Sequence, residues 1–356
     1  MSKARELAEL GAVYDSGALS NRNLFINGAM TVSQRGTSDA SISDNEFVVD
    51  RYSLRTSNAG WYAAEQSTDA PTGFSNSLKI TSNGANSPAA GAYIFFAQKI
   101  EGFNSAHLEF GTSNAKTITI SFHIKSSLTG TFGGSLRNSA QNRSYPFSFT
   151  ISSANTWEYK TVTIAGDTTG TWIGSTNGIG LDVIFNLGSG TNNQGTAGAW
   201  AAAGYLKPTG AVNLVETSGA TLFLTGLQLE LGTEATPFEH RSFGQELALC
   251  SRYFQAYTGA TQEWVYNESN LATGKWWQLI FPNGEMRTSP TVSFGSGWLG
   301  GTLAGQGSNT IDSMSCSSSN NRTSCRVTMS STGGTAYNLV HTDGFDTRKC
   351  FMDAEL

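Results

Sequence analysis

The chain has 356 residues, enough for two ordinary domains, and carries a formal net charge of −5 at pH 7. Only 14% of its residues are charged and Lys and Arg form no block, which argues against nucleic-acid binding because neutralising phosphates requires clustered cations. No apolar run reaches membrane-spanning length, and the opening MSKARELAEL lacks the pattern of a signal peptide. We therefore expect a soluble protein, made in a cytosol, that does not insert into a membrane.

Short alternating runs separated by Gly-, Ser-, Thr- and Asn-rich turns dominate the chain, and few windows carry a helical period. This pattern predicts an all-β protein: a jelly-roll or β-sandwich domain and a smaller C-terminal β-sandwich domain, with a short N-terminal helix and one linking helix. The predicted parts are an N-terminal attachment segment (1–20), the jelly roll (21–241), the linking helix (242–257) and a distal β-rich domain (258–356).

The N-terminal segment carries a narrow apolar stripe over residues 2–14, which predicts a short helix that stops at Gly11. So short a helix is marginal alone. Two interpretations stay open: a helix that is stable only when docked on a partner or bundled with its own copies, and a frayed terminus.

The clearest half-buried strand of the predicted jelly roll is TITISFHIK. Four apolar residues share one of its faces: Ile118, Ile120, Phe122 and Ile124. His123 falls on the opposite, polar face without a second metal-type residue, so we interpret it as a solvated histidine. Further along, residues 188–219 form a Gly-rich excursion that contains Trp200, and a loop of this length in a compact domain is often functional.

The run FLTGLQLELG predicts the last strand of the jelly roll. Its apolar face at period two contains Phe223, Leu227, Leu229 and Leu231. Gln228 and Glu230 lie on the opposite face, and Gly232 ends the strand. The chain therefore closes a β-rich unit before the linking helix begins.

The predicted linking helix begins with a capping box, Ser242 followed by Gln245. Its apolar stripe repeats at three and four residues: Leu247, Cys250, Phe254 and Tyr257. Two interpretations stay open, an ordinary linker and a stripe that meets copies of itself around a symmetry axis. The second predicts that these four residues form an oligomer interface.

Tryptophan is concentrated in the C-terminal region among polar residues. Sugars stack their apolar C–H faces on aromatic rings, and their hydroxyls need polar neighbours. The candidate glycan-binding residues there are Trp264, Trp276, Trp277, Trp298, Asn267 and Gln278. Neighbouring residues on a strand point to opposite faces, so one of Trp276 and Trp277 is expected in the core. Trp157, Trp172 and Trp200 are the alternatives in the first domain.

Enzyme motifs are absent from the sequence: it has no nucleophile elbow, no phosphate-cradling glycine loop and no HExxH pair. The spacing of its four cysteines matches no zinc pattern. We therefore predict no catalytic residue, no cofactor and no metal ligand set. Reduced thiols are the default in a cytosol, and a disulfide between Cys316 and Cys325 stays open as an alternative.

Seven ordered blocks carry a family resemblance: NLFINGAM, QRGT, DRY, QKIEG, LTGLQLELG, ATPFEHR and ELALCSRYF. In this order they resemble the tail-fibre and receptor-binding proteins of tailed phages, particularly those of marine and cyanobacterial hosts. The resemblance covers about residues 1–256, and MRTSPTVSF with the closing DAEL is similar to the small C-terminal β-domain of such fibres. Tyr52 and His123 stand where the family more often has tryptophan.

The resemblance implies a carbohydrate-binding-like jelly roll in a homotrimer that is assembled in the host bacterial cytoplasm and carried in the virion. It also implies that the N-terminus attaches to other virion tail or capsid proteins. The leading hypothesis is a tail fibre that recognises a host surface polysaccharide or lipopolysaccharide during adsorption, with the recognition site in the C-terminal domain. The alternative is a structural capsid-decoration or tail-adaptor protein that binds no host glycan, and a weaker third hypothesis is a depolymerase.

Overall fold

The structure is a computed structural model. It describes Lys3 and residues 22–258, 276–280, 283–294, 299–301, 309–316, 324–331, 338–339 and 349–356, with side chains described for Lys3 and residues 22–256, 283–293 and 351–356. Apart from Lys3, the predicted attachment segment 1–20 lies outside the described residues. The chain divides into two compact units, one running up to Glu246 with Leu356 added, the other from Leu247 to Glu355. The division falls inside the segment that the sequence predicts as the link between domains.

The first unit is built on two antiparallel sheets. Six strands form the first sheet in the order β1 (Ser38–Asp39), β3 (Tyr62–Ser67), β4 (Ser77–Ser82), β13 (Thr221–Leu231), β6 (Ile118–Ser126) and β9 (Glu158–Ile164). Five strands form the second sheet in the order β2 (Ser53–Thr56), β5 (Ile94–Glu101), β10 (Ile179–Asn186), β7 (Gly130–Arg137) and β8 (Ser144–Ile151).

Shorter elements decorate these sheets. A helix, α1 (Gly102–Ser105), follows β5, and 3₁₀ turns lie at Ala106–Leu108, Thr191–Asn193 and Leu214–Glu216. Two short parallel strands, β11 (Gln194–Gly195) and β12 (Lys207–Pro208), lie within the long excursion 188–219.

The hydrophobic core lies between the two sheets, so the first unit is a β-sandwich. Phe122 of the first sheet packs edge-on against Phe149 and Phe185 of the second, with ring centroids 5.0 and 5.2 Å apart. The four apolar residues predicted to share one face of β6 are all fully buried in this core. The predicted all-β, jelly-roll or β-sandwich class is therefore confirmed.

Strand β13 departs from its predicted alternation because it contains a β-bulge. The register against β6 shifts between Thr225 and Gln228, and Gly226 in the bulge has a φ of 62°. Phe223 consequently lies on the outer face, opposite Lys79 and Lys125, and the prediction that it shares the core face was wrong. The leucines of β13 in the core are Leu222, Leu224, Leu227 and Leu229, whereas Leu231, at the strand end, is 42% exposed.

A polar network, here named the polar junction, consists of the half-buried Arg241 and four buried residues, Asn23, Asn27, Gln98 and Glu246. The Arg241 guanidinium donates to the backbone carbonyl of Asn23 at 2.6 Å and to the Glu246 carboxylate at 3.2 Å. The other Glu246 oxygen accepts the N–H of Asn27 at 2.7 Å. The Gln98 amide donates to and accepts from the backbone of residue 26, both at 2.8 Å. Each of these groups has a hydrogen-bond partner, which offsets the cost of removing it from water. The same bonds fix residues 23–27 on the sandwich.

A second helix, α2 (Phe243–Ser251), begins as predicted but ends early. Ser242 and Gln245 form the reciprocal capping box. The Gln245 backbone N–H donates to the Ser242 hydroxyl at 3.3 Å, and the Ser242 backbone N–H donates to the Gln245 side-chain oxygen Oε1 at 3.0 Å. The prediction that this helix continues to residue 257 was wrong. Strand β14 (Phe254–Thr258) begins three residues after α2 ends and pairs with residues 349–353 near the end of the chain.

Two of the four residues of the predicted apolar stripe are buried in the single chain. Cys250 and Phe254 are buried and Leu247 is half-buried, while the Tyr257 side chain lies outside the described residues. Burial in the single chain does not test whether the four residues form an oligomer interface, so that interface stays a prediction. The homotrimer itself stays a prediction.

The described backbone of the second unit is again β-structure. One sheet has the order β14, β21 (Lys349–Asp353) and β16 (Thr291–Phe294). The other has the order β15 (Trp276–Ile280), β19 (Ser324–Ser331), β18 (Asn309–Cys316), β17 (Leu299–Gly301) and β20 (Asn338–Leu339). Cys316 pairs with Val327 and Cys325 with Leu279, so the two cysteines are not directly opposite one another. Within the described residues, no helix is both long and apolar enough to cross a membrane.

Candidate functional site

Four half-buried aromatic side chains meet at one edge of the sandwich: Phe110, Tyr145, Trp172 and Trp200, here named the rim cluster. The ring centroids of Phe110 and Trp172 are 5.1 Å apart and their planes cross at 84°. Trp200 contacts the other three rings edge-on, at centroid distances of 5.2 to 5.8 Å. Such near-perpendicular contacts are favourable for aromatic rings, so the cluster is a packed unit that keeps part of its surface in water.

The long excursion brings Trp200 to this edge. Ala201 pairs with Ser144, the first residue of β8, through two backbone hydrogen bonds of 2.8 and 3.1 Å. The Ser144 hydroxyl also donates to the carbonyl of Ala203 at 2.6 Å, and the Trp200 indole N–H donates to the carbonyl of Ala165 at 2.8 Å. The excursion is therefore tied to the sandwich on both sides of the tryptophan.

A buried ion pair fixes the loop that carries Trp172. The Arg143 guanidinium donates two hydrogen bonds of 2.7 Å to the Asp167 carboxylate. Burial alone would raise the pKa of Asp167, but these bonds and two from Thr169 outweigh it and hold that pKa below its usual value. The Trp172 indole N–H donates to the carbonyl of Thr169 at 3.1 Å, so the ion pair and the ring share one loop.

A cavity of about 230 Å³ opens beside the cluster, between α1, the turn after it and the Trp172 loop. Its apolar wall comprises Leu108, Phe110, Trp172, Ile173 and Leu181. Its polar side chains are Ser105, Glu109 and Thr112, and Glu109 is the only charged residue among the described residues that line it. Two aromatic rings at right angles beside a hydroxyl and carboxylate wall suit a ligand with both an apolar face and hydroxyl groups.

No protein-family model matches this sequence, and no curated protein does. Among solved structures, the chain is similar to the enzymatically active domain of tailspike protein 4 of bacteriophage CBA120, with a TM-score of 0.33 and 12% identity. That match covers 59% of this chain and 22% of the tailspike chain.

Two carbohydrate-binding modules are also similar. A CBM4 module has a TM-score of 0.31 and 15% identity, over 58% of this chain and 98% of the module. The CBM22-1 xylan-binding domain of Paenibacillus barcinonensis Xyn10C has a TM-score of 0.27 and 10% identity, over 57% of this chain and 100% of the domain. At these identities and TM-scores, nothing about ligand or activity follows from the likeness.

The structure rearranges the alternatives that the sequence offers in the first domain. Trp172 lines the cavity directly. Trp200 packs edge-on against Trp172 but is not among the cavity-lining residues. Phe110 was missed, because HLEFGT contains only two apolar residues in alternation and no tryptophan. Trp157 lies elsewhere, with its indole N–H donating to Asp69 at 3.2 Å.

The predicted C-terminal candidates stay untested. Trp264, Asn267 and Trp298 lie outside the described residues. Of Trp276, Trp277 and Gln278 only the backbone is described, in β15, where they pair with residues 328, 327 and 326 of β19. The structure therefore brings together a first-domain site and leaves the distal one as a prediction.

His123 is not the solvated histidine that the sequence predicts. It is half-buried between Phe74 and Tyr159, with ring centroids 5.2 and 4.9 Å away, and burial lowers its pKa. Phe238 and His240 pack on Phe74 from the connector after β13. These five rings, here named the sheet-face cluster, cover the β13 bulge and contact one another closely, which is typical of packing rather than of a ligand site.

Tyr52 and Glu230 have structural roles. Tyr52 is fully buried in the core, so it cannot replace a sugar-contacting tryptophan. Glu230 is buried and its carboxylate accepts hydrogen bonds from Thr236 and Gln228 at 2.6 to 2.9 Å. In the part of the chain that the structure describes, no three His, Cys, Asp or Glu side chains gather as a metal site would require.

Proposed function

We propose that this protein binds a glycan in the cavity beside Trp172, and that it does so as a tail-fibre protein of a tailed phage during adsorption to its host. The cavity itself carries the proposal: two crossed aromatic rings face Ser105, Glu109 and Thr112. The apolar C–H face of a sugar would lie on an aromatic ring while its hydroxyls meet the polar wall.

The size of the cavity favours a single sugar unit. At about 230 Å³ it is smaller than the range of about 300–1,000 Å³ typical of pockets for drug-sized ligands. A chain end or side branch of a surface polysaccharide presents one ring in this way, whereas an extended strand would need a longer groove.

Binding rather than hydrolysis is the activity that we propose. Glycoside hydrolysis ordinarily needs two carboxyl groups about 5–10 Å apart on either side of the bond. Glu109 is the single carboxylate among the described lining residues, and the buried Asp167 nearby is held by Arg143. We therefore propose that the protein is not an enzyme.

The tail-fibre part of the proposal rests on the seven ordered sequence blocks. With it come the homotrimer, attachment to other virion proteins through the N-terminus, and a host surface polysaccharide or lipopolysaccharide as the receptor. A structural decoration or adaptor protein is the competing proposal, and it requires no glycan binding at all.

The test is glycan binding by the full chain and by Trp172→Ala on an array of bacterial surface polysaccharides, followed by calorimetry on each hit. By analogy with base–aromatic stacking, loss of the ring should weaken binding by about 1–3 kcal/mol, roughly 5- to 150-fold. Trp157→Ala is the matched control, because that half-buried tryptophan lies outside the cavity lining.

Three outcomes would contradict the proposal in different ways. Native-like binding by Trp172→Ala, with loss in Trp276→Ala or Trp277→Ala, would place the site in the C-terminal unit as the sequence predicts. No binding by the native chain would favour the structural role. Release of reducing sugar from a bound polysaccharide would show an enzyme.

A further inference from the structure

Glu109 adopts a backbone conformation that favours glycine. Its φ and ψ are 54° and 29°, in the left-handed region, at the end of the 3₁₀ turn Ala106–Leu108. A side chain at such an angle carries a strain that glycine would avoid. A glutamate in this position therefore needs a reason other than the course of the backbone.

The hydrogen bonds that hold this turn do not use the glutamate side chain. The Glu109 N–H donates to the carbonyl of Ala106 at 3.1 Å, and its own carbonyl accepts the N–H and the hydroxyl of Thr112 at 3.2 and 2.8 Å. Glycine would make the same three bonds, so the turn does not explain the carboxylate.

Ion pairing does not explain the carboxylate either. The nearest cation, the Lys116 ammonium, lies 3.8 Å from one carboxylate oxygen, and both side chains are more than 40% exposed. An exposed pair of this length contributes little to stability. Glu109 is, in addition, one of the residues that line the cavity, together with Phe110 and Trp172.

We infer that Glu109 determines the specificity of the cavity, selecting neutral sugars that present two adjacent free hydroxyl groups and rejecting acidic sugars. A carboxylate has two acceptor oxygens and no donor, so it can accept one hydrogen bond from each of two neighbouring hydroxyls. A uronic acid would instead bring a second negative charge into a partly desolvated cavity, an unfavourable contact that excludes it. This inference rests on the proposed glycan-binding function.

The experiment titrates the full chain with the methyl glycosides of glucose, galactose and mannose and with glucuronic and galacturonic acids, using ligand-observed NMR. The native chain should bind at least one neutral glycoside and bind the uronic acids at least tenfold more weakly. Glu109→Gln should weaken the neutral sugar at least tenfold and narrow its advantage over the acids, because an amide presents one acceptor and no charge.

Two further variants separate binding from folding. Glu109→Gly should lose affinity like Glu109→Gln while its melting temperature is unchanged or higher, since glycine relieves the strained angle. Glu65→Gln, which changes another partly exposed glutamate paired with a lysine, should bind as the native chain does.

The inference is overturned if Glu109→Gln binds neutral sugar within twofold of the native chain, or if native protein binds a uronic acid as tightly. In either case, loss of sugar binding in Trp172→Ala leaves the proposed function standing. If the native chain binds none of these probes and no polysaccharide on the array, the proposed function and this inference fail together.

Discussion

The polar junction and the rim cluster are two regions of the same sandwich built on opposite rules. Four of the five junction residues are buried and Arg241 is half-buried, and their hydrogen bonds join irregular segments to strand β5 and helix α2. The rim residues are half-buried aromatics on loops and strand ends, beside an open cavity. Every junction residue belongs to one of the seven ordered sequence blocks, whereas no rim residue does. These blocks therefore supply residues of the scaffold, and the rim cluster is assembled from segments outside them.

The largest effect on stability is expected from removing Arg241, the cation of the polar junction. Arg241→Ala should lower the free energy of unfolding by about 3–5 kcal/mol, because it leaves the buried Glu246 carboxylate without its charged partner. Chemical denaturation measures the effect. Arg55→Ala is the control, since its ion pair with Asp44 is partly exposed at the surface and should contribute at most about 1 kcal/mol.

Glycan binding decides what this result means. If the two regions are independent, Arg241→Ala should keep the native affinity for any array hit at a temperature where it remains folded. An equal loss of stability in Arg241→Ala and Arg55→Ala would show that the junction ion pair stabilises the fold no more than a surface pair does. A loss of binding without a loss of stability would show that the regions are coupled.

A smaller effect is expected at the β13 bulge, which separates the two halves of that strand. A Cβ at Gly226 would lie 2.6 Å from the Phe74 ring and 3.0 Å from His123, at a φ of 62°. Gly226→Ala should therefore cost about 1–3 kcal/mol of stability and disturb the sheet-face cluster. Thermal unfolding measures the cost, and Gly91→Ala, in open space, should stay near the native melting temperature. Equal melting temperatures for both variants would mean that the bulge relaxes without cost.

The bulge also shows where sequence reasoning reached its limit. Period-two alternation on β6 predicted its core face correctly, because that strand is regular from Ile118 to Ser126. On β13 the same reasoning placed Phe223 on the wrong face, since one bulge at Gly226 reverses the parity of everything before it. His123 was misplaced for a related reason: the Phe74 and Tyr159 rings beside it come from distant segments.

The candidate site was harder to predict than the fold. Trp172 and Trp200 were named as alternatives, but Phe110 and Glu109 stand in a short segment that no motif marks, and they join the tryptophans only through tertiary structure. The stripe beginning at Leu247 read as a continuous helix because Phe254 and Tyr257 keep the spacing by chance after α2 has ended. Local pattern thus predicts regular elements, whereas sites built from loops need the folded chain.

The smallest expected effect is on how stability changes with pH. Two carboxylates, Asp50 beside the polar junction and Asp167 beside the rim cluster, should change it in opposite directions. Asp50 adjoins the polar junction, where the Gln34 backbone and side-chain amides donate to it at 2.9 and 2.6 Å. Burial raises the pKa of Asp50 despite these bonds. Asp167 supports the rim, and the Arg143 hydrogen bonds outweigh burial and hold its pKa below the usual value.

The two shifts have opposite signs in the linkage between protonation and folding. A folded-state pKa above the unfolded value favours folding at low pH, so the contribution of Asp50 is lost as the pH rises from about 4 through its folded pKa. A folded-state pKa below the unfolded value does the reverse, so the contribution of Asp167 is lost as the pH falls below about 4.

Melting temperatures of the native protein, Asp50→Asn and Asp167→Asn, measured from about pH 3 to about pH 6, separate the two contributions to stability. The gap between native and Asp167→Asn should widen with rising pH, and the gap between native and Asp50→Asn should move the other way. Only the slopes are compared, because each asparagine also has a cost of its own that does not vary with pH. Parallel slopes would mean that both carboxylates lie in the same electrostatic environment, and the distinction between junction and rim would then fail at the level of charge.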